Sequence, residues 1–332
     1  MNKQSSLLKL ENINMYFKLK NGDELQASHN VNLKIDNGEM VVVVGESGCG
    51  KSTVGKMSLG VLKPSCGTIS LDGQDIWQKG FKWPAKLRTE VQVVHQDSFS
   101  SLNPVKTIFQ TLSAPLLRHK LVKNKKEALV KINELLYSVD LTPVEYFIHK
   151  YPFQLSGGQR QRVSIIRATI LKPKLIVADE PVSAVDASSR LSILDLMKGI
   201  NKKHGIAFLY ITHDLATARY FAPEGRIVVM YLGRVVETGK IKDCISGPAH
   251  PYLQALLTAI PHSDPQKAKE PIKIPLKSFD MPKATHPPSG CVFNPRCLYA
   301  TDICTKEVPL LEKYRGRQIA CHNKEDIPGF KK

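Results

Sequence analysis

The 332-residue sequence has no apolar run near the roughly 18 residues that span a bilayer, so no membrane helix is expected. Its opening MNKQSSLLKLEN shows neither the apolar core nor the cleavage site of an export signal. No lipidation motif or amphipathic anchor stands out. Cysteine is sparse and odd in number, at seven. Without an export signal, that argues for a reducing compartment and against a disulfide scaffold. No internal repeat occurs. Acidic residues are in the minority, 30 against 47 Lys and Arg, giving a net charge of +17. That balance permits nucleic acid, an anionic membrane face or phosphate ligands, or a basic surface with no polyanion partner. What is present is a globular composition, 42% hydrophobic and 23% charged, long enough for one large or two modest domains.

The most informative stretch is residues 45–53, GESGCGKST. It contains the spacing Gly45-x-x-x-x-Gly50-Lys51-Ser52. The run Met40–Val44 before it is β-branched enough for a buried strand, and a helix is expected from Lys51 to Leu59. In that context Gly45, Gly48 and Gly50 let the backbone curl until its N–H groups face phosphate oxygens. The helix start adds a positive dipole end. Lys51 supplies a point charge to the β- and γ-phosphates, and the Ser52 hydroxyl can ligate Mg²⁺. The cradle is expected to comprise Gly45, Glu46, Ser47, Gly48, Cys49, Gly50, Lys51, Ser52 and Thr53.

Short strands are expected over 7–36 and 66–94, with turns at Asn21-Gly22-Asp23 and Asp72-Gly73. Residues 105–150 have helical periodicity and many lysines, which reads as a helical insertion. Strand-like runs at 175–178, 207–212 and 227–231 alternate with helix-like segments at 158–172 and 188–203, which implies a parallel α/β sheet.

Leu175–Ala178 is an apolar strand that ends in Asp179-Glu180. Asp179 would hold Mg²⁺ through water, and Glu180 would polarise an attacking water. Leu155-Ser156-Gly157-Gly158-Gln159 places small residues at another helix start, a second anion site far from the first in sequence.

GESGCGKST, LSGGQRQR and LIVADE together resemble the ATP-binding cassette (ABC) ATPase family, over residues 1 to about 245. The resemblance implies an α/β P-loop NTPase core with a parallel sheet, an antiparallel β subdomain and a helical subdomain at about 97–170. It implies that Gln96 contacts Mg²⁺ or the lytic water, and that Phe17 stacks on adenine, with Tyr16 one residue away. Asp186 lies in Ser183-Ala184-Val185-Asp186, which matches the family's D-loop, and His213 would touch the γ-phosphate. It further implies two cassettes packed head to tail. Each ATP then lies between one chain's P-loop and the Ser156, Gly157, Gly158 and Gln159 of the other.

Residues 246–332 read as an extension, with a Pro-rich linker at 261–290 and a Cys-rich tail at 291–332. His250-Pro251-Tyr252, Pro287–Phe293 and Arg296-Cys297 resemble the C-terminal region of oligopeptide and dipeptide importer ATPases, and so do residues 98–104. The tail is expected to be small and irregular. Cys291, Cys297, Cys304 and Cys321 lack the knuckle of a zinc ribbon. They are expected to converge, and similar tails carry a [4Fe–4S] cluster; zinc and four unligated buried thiols are the alternatives. Nothing in the sequence places this tail near the nucleotide. Cys49, Cys66 and Cys244 read as small fillers.

The leading expectation is an ATP-hydrolysing importer subunit, peripheral on the cytoplasmic side of the membrane. Its expected partners are two transmembrane permease subunits, a second cassette (self or, more in keeping with the resemblance, a paralogue) and, indirectly, an extracytoplasmic solute-binding protein. No nucleic acid is expected. The alternatives are a soluble ABC ATPase acting on nucleic acid or ribosomes, and the same importer type serving oligosaccharides or nickel.

Overall fold

The computed structural model describes residues 6–78, 85–260 and 274–330, without the side chains of residues 85–87. The chain divides into two compact units.

The first unit comprises chiefly Gln78–Ile211, with Ile35–Met40. Twelve strands occur in the described chain, and three of them organise this unit: β6 (Val91–Val94), β7 (Leu175–Asp179) and β8 (Ala207–Thr212). They pair in parallel, with Val91 opposite Leu175 and Leu175 opposite Ala207. Every residue of β8 is buried, as expected of a strand covered on both faces. The helices Ile108–Arg118, Lys125–Tyr137, Val144–Ile148 and Gly157–Thr169 enclose a core that includes Leu112, Ile132, Leu136, Phe147 and Val163. This is the helical subdomain that the periodicity predicts.

The second unit holds Leu8–Lys34, Val41–Trp77 and the chain from Thr212 onward. β1 (Leu8–Lys18), β2 (Glu24–Ile35), β4 (Cys66–Leu71) and β5 (Gln74–Asp75) form one sheet in the order β2-β1-β4-β5. β3 (Met40–Val44) runs parallel to β9 (Arg226–Tyr231), and β10 (Arg234–Lys240) folds back antiparallel on β9.

The tail is more regular than its sequence signals. β11 (Glu312–Tyr314) and β12 (Arg317–Ile319) form a hairpin, and β12 pairs antiparallel with β10. Beneath that pairing Glu237, fully buried, meets Arg317 at 3.0 Å and accepts the His250 N–H at 2.7 Å. Tyr231, Tyr252 and Phe293 pack with ring centroids 4.7–5.5 Å apart, and His250 joins Phe293 at 5.7 Å. Of the segment read as a linker, residues 261–273 lie outside the described residues. Residues 274–290 carry no helix, yet they are tied down by a bridge between Leu276 and Cys297 and by the bond from Lys277 N–H to the Arg296 carbonyl. No described helix is long and apolar enough to cross a membrane.

His250 gives this region a pH signature. Its ring is buried and its Nδ1 accepts the Tyr252 N–H at 3.1 Å. Burial lowers its pKa to about 3, so the folded chain resists protonating it. The unfolded chain takes that proton near pH 6.5, so stability is full above that value and falls as pH drops toward 3, by up to about 1.4 kcal/mol per pH unit. Glu237, whose carboxyl burial pushes up, takes its proton in the folded chain before the unfolded one does, so it opposes this trend as pH falls toward about 4.5. Denaturation midpoints at pH 7.5 and 5.5 are expected to differ in the native chain. In His250→Asn, which keeps an acceptor for the Tyr252 N–H and loses the titration, the difference is expected to shrink.

Candidate functional site

In the second unit the turn after β3 is a tight backbone curl. Gly45, Gly48 and Gly50 take φ values of 156°, 78° and 100°. A Cβ on Gly45 would lie 2.2 Å from the Met230 carbonyl oxygen, and one on Gly50 would lie 2.1 Å from that of Ala27. Only glycine fits at either place. The helix Lys51–Ser58 starts here, with no side chain capping its first turn. Orphan N–H groups at the start of a helix form an anion-binding end. Lys51 is buried and bends back over the loop, donating to the carbonyls of Gly45 at 2.8 Å and Glu46 at 2.9 Å. Cys49 is buried, Ser47, Gly48 and Ser52 are exposed, and Thr53 is half-buried. Phe17 lies half-buried on β1; its neighbour Tyr16 is exposed and its hydroxyl accepts from Gln26 at 3.3 Å. His213 is exposed, between β8 and a helix that Asp214 caps.

The first unit carries the carboxylates. β7 delivers Asp179 at its end, and Glu180 follows with φ 44°, a left-handed conformation that costs a non-glycine residue. Gln96, just past the end of β6, donates to the Glu180 carboxylate at 3.3 Å. Two residues far apart in sequence and chosen for one reaction thus meet. Ser183 donates through both its N–H and its hydroxyl to the Glu180 carbonyl, at 3.1 and 3.0 Å, which fixes the turn behind it. Asp186 caps the helix Ala187–His204 and accepts from Ser188 and Ser189. Those bonds hold its carboxyl below the ordinary carboxylate range.

Ser156 and Gln159 form a reciprocal capping box at the start of the helix Gly157–Thr169. The Gln159 N–H reaches the Ser156 hydroxyl at 3.3 Å, and the Ser156 N–H reaches the Gln159 side chain at 3.0 Å. The Ser-x-x-Gln spacing was a legible signal for this structural role. A Cβ on Gly158 would lie 3.0 Å from the Ser189 hydroxyl, so that glycine lets the two helices approach.

The tail thiols converge as expected. Cys291, Cys297, Cys304 and Cys321 line one small enclosed cavity. Burial raises the pKa of Cys291, Cys297 (to about 11) and Cys321 (to about 12), so these three are protonated thiols as they stand. All seven cysteines are free. Among the described residues no group of three or more His, Cys, Asp or Glu side chains is arranged to hold a metal ion. Cys49 and Cys244 are buried fillers, but Cys66 is exposed at the start of β4, so that expectation is corrected. A small residue there serves a strand end rather than a core.

Sequence reasoning missed the contacts between tail and P-loop. Arg296 meets the Glu46 carboxylate with two bonds, and the Glu46 N–H donates to the Tyr252 hydroxyl. Partners 250 and 206 residues apart leave no local signal.

Residues 28–183 match the ABC transporter family, and residues 236–304 match the oligopeptide/dipeptide transporter C-terminal region. The di/tripeptide transport ATP-binding protein DppF of Pseudomonas aeruginosa is 38% identical, with 92% of each chain covered. The oligopeptide transport ATP-binding protein OppF of Escherichia coli is 36% identical, with 95% of each chain covered. Among solved structures, a dimeric ATP-binding cassette in a post-hydrolysis state with ADP and Pi superposes with a TM-score of 0.62 at 32% identity, covering 71% of this chain and 99% of that one.

The loop geometry separates two substitutions that sequence alone would treat alike. Gly48→Ala meets nothing within 4 Å, so it carries only left-handed strain, about 1 kcal/mol. Gly50→Ala adds a backbone overlap and is expected to cost more than about 3 kcal/mol. Urea unfolding of the two variants checks the ordering.

Proposed function

Since the chain belongs to the ABC transporter ATPase family and carries the oligopeptide/dipeptide C-terminal region, we propose that it is the ATP-hydrolysing subunit of a peptide importer. The observation that carries this reading is the curled loop closed over by Lys51, together with Glu180 held in a strained turn and bonded to Gln96. Gly45 through Thr53 supply the phosphate cradle, and Phe17 the adenine contact. Ser52, Asp179 and Gln96 offer hydroxyl, carboxylate and amide oxygens, a hard donor set that suits Mg²⁺. When bound, Mg²⁺ neutralises phosphate charge.

Glu180 is the general base for water, and Gln96 orients it. His213 contacts the terminal phosphate. Ser156, Gly157, Gly158 and Gln159 serve a nucleotide held by a second cassette, with Asp186 beside them. Closure of such a pair couples hydrolysis to motion in two transmembrane permease subunits, to which a solute-binding protein outside the membrane delivers peptide. The second cassette is a paralogue or a second copy of this chain. The chain works from the cytoplasmic face through these partners; no described helix could anchor it by spanning the membrane. Domain boundaries near 245, with the extension from 246, follow from the same reading.

For the tail, the reading is a [4Fe–4S] cluster on Cys291, Cys297, Cys304 and Cys321. It is supported by four soft donors around one cavity. A cluster there would tie a short segment together, since so few residues bury little core of their own.

Glu180→Gln is expected to keep nucleotide binding and to lower turnover by roughly 10²–10⁴-fold, the range for loss of a general base. Lys51→Ala is expected to weaken binding itself. ATPase assays paired with a binding titration separate the two, and near-normal turnover in Glu180→Gln would falsify the assignment. Anaerobic purification followed by iron and sulfide analysis tests the tail. Brown protein with iron that is lost on replacing the four cysteines by Ser is expected, and colourless, iron-free protein rejects the cluster.

A further inference from the structure

Glu46 places a carboxylate directly beside the loop's first glycine. It is the second residue of a loop read as holding polyphosphate, and an unpaired carboxylate there would repel the ligand. Arg296 neutralises it. Nη1 lies 2.7 Å from Oε2 and Nη2 lies 3.1 Å from Oε1, a two-pronged pair. The Arg296 side chain is only 6% exposed. The remaining groups of Glu46 are also taken. Its N–H donates to the Tyr252 hydroxyl at 2.7 Å, and its carbonyl accepts Lys51 Nζ at 2.9 Å. The loop's lysine is thus set by a residue that the extension grips at both its side chain and its amide.

Arg296 is itself fixed from the cysteine-bearing segment. It ends the short turn Asn294–Arg296, directly before Cys297. Nη1 also reaches the Tyr231 hydroxyl at 3.4 Å, and its carbonyl accepts the Lys277 N–H at 2.9 Å. The rings of Tyr231 and Phe293 flank the guanidinium carbon at 5.7 and 5.9 Å. A buried ion pair adds little net stability, whereas its geometry is demanding. The arrangement therefore serves position more than fold.

We propose that Arg296 and Tyr252 are positioning residues for the phosphate loop, and that through them nucleotide affinity depends on the conformation of the cysteine-bearing extension. Arg296 cancels the Glu46 charge and orients its carbonyl toward Lys51; Tyr252 holds the same residue by its amide. When the segment around Cys297 shifts, Arg296 moves with it and Glu46 is released to compete with phosphate for Lys51. The inference rests on the nucleotide reading of residues 45–53.

The test is a titration of the full chain with N-methylanthraniloyl-ADP and Mg²⁺, with thermal melts run in parallel. Arg296→Gln is expected to weaken binding about ten-fold or more, since it strands a carboxylate in the loop. Glu46→Gln, which removes that charge, is expected to cost only a few-fold. The double variant is expected to bind like Glu46→Gln rather than like Arg296→Gln. A purely structural role for Arg296 would give no such rescue. Tyr252→Phe is expected to weaken binding several-fold. Wild-type affinity in Arg296→Gln, or a double variant no better than it, overturns the proposal. If Arg296→Gln fails to fold, Arg296→Lys decides: it keeps the charge and loses the fork, and affinity equal to wild type rejects the positioning role. Lys51→Ala is the control. If the native chain does not bind the probe, or Lys51→Ala binds it equally well, the nucleotide reading has failed rather than this link.

Discussion

The second unit depends on how closely other backbone passes the loop after β3. Carbonyls of Met230 and Ala27 stand where side-chain carbons at Gly45 and Gly50 would be. The Gly233 N–H donates to the Cys49 carbonyl at 2.9 Å, and the His29 N–H donates to that of Gly233 at 2.8 Å. The curl is thus locked by two stretches of main chain, residues 27–29 and 230–233. Lys51 crosses it from the inside and Glu46 is gripped from the outside. An anion site made from backbone must be stiff before the anion arrives, because N–H dipoles free to turn away stabilise charge poorly.

Much of this was legible because the features were local. The loop spacing, the strand Met40–Val44, the helix after it and the strand ending in Asp179-Glu180 are each written in fewer than a dozen consecutive residues. The helical subdomain announced itself by periodicity. The convergence of four cysteines was expected from the resemblance of the tail and from its being too short to bury a core of its own. What escaped were long-range pairings. Arg296 gives no hint that its partner is Glu46, and β11 and β12 are three residues each, too short for an alternation pattern to register. They are strands because β10 offers an edge. Ser156 and Gln159 show a different case: a motif read for ligand chemistry also performs a local structural duty, and the cap is spelled out in the same five letters.

The extension is held to the rest of the second unit by three kinds of contact. Hydrogen bonds join β12 to β10, an aromatic cluster surrounds Phe293, and charge pairs run from Arg317 to Glu237 and from Arg296 to Glu46. Each charge pair is buried on at least one side, so breaking it by removing one partner leaves an uncompensated charge. Such contacts define a single position for the segment, which is what a residue charged with holding the phosphate loop requires.

The pairing of β12 with β10 also bears on how the chain reaches this state. Until the hairpin arrives, β10 is the outer strand beside β9, and the N–H and carbonyl groups on its side away from β9 are unpaired. Its partner lies about 80 residues downstream, as the separation of Glu237 and Arg317 shows. During synthesis, therefore, a ready template for strand addition stays open while the rest of the extension is still being made. The hairpin covers the β10 edge late in synthesis, and a chain that stops short of β12 leaves that edge free to pair with another molecule.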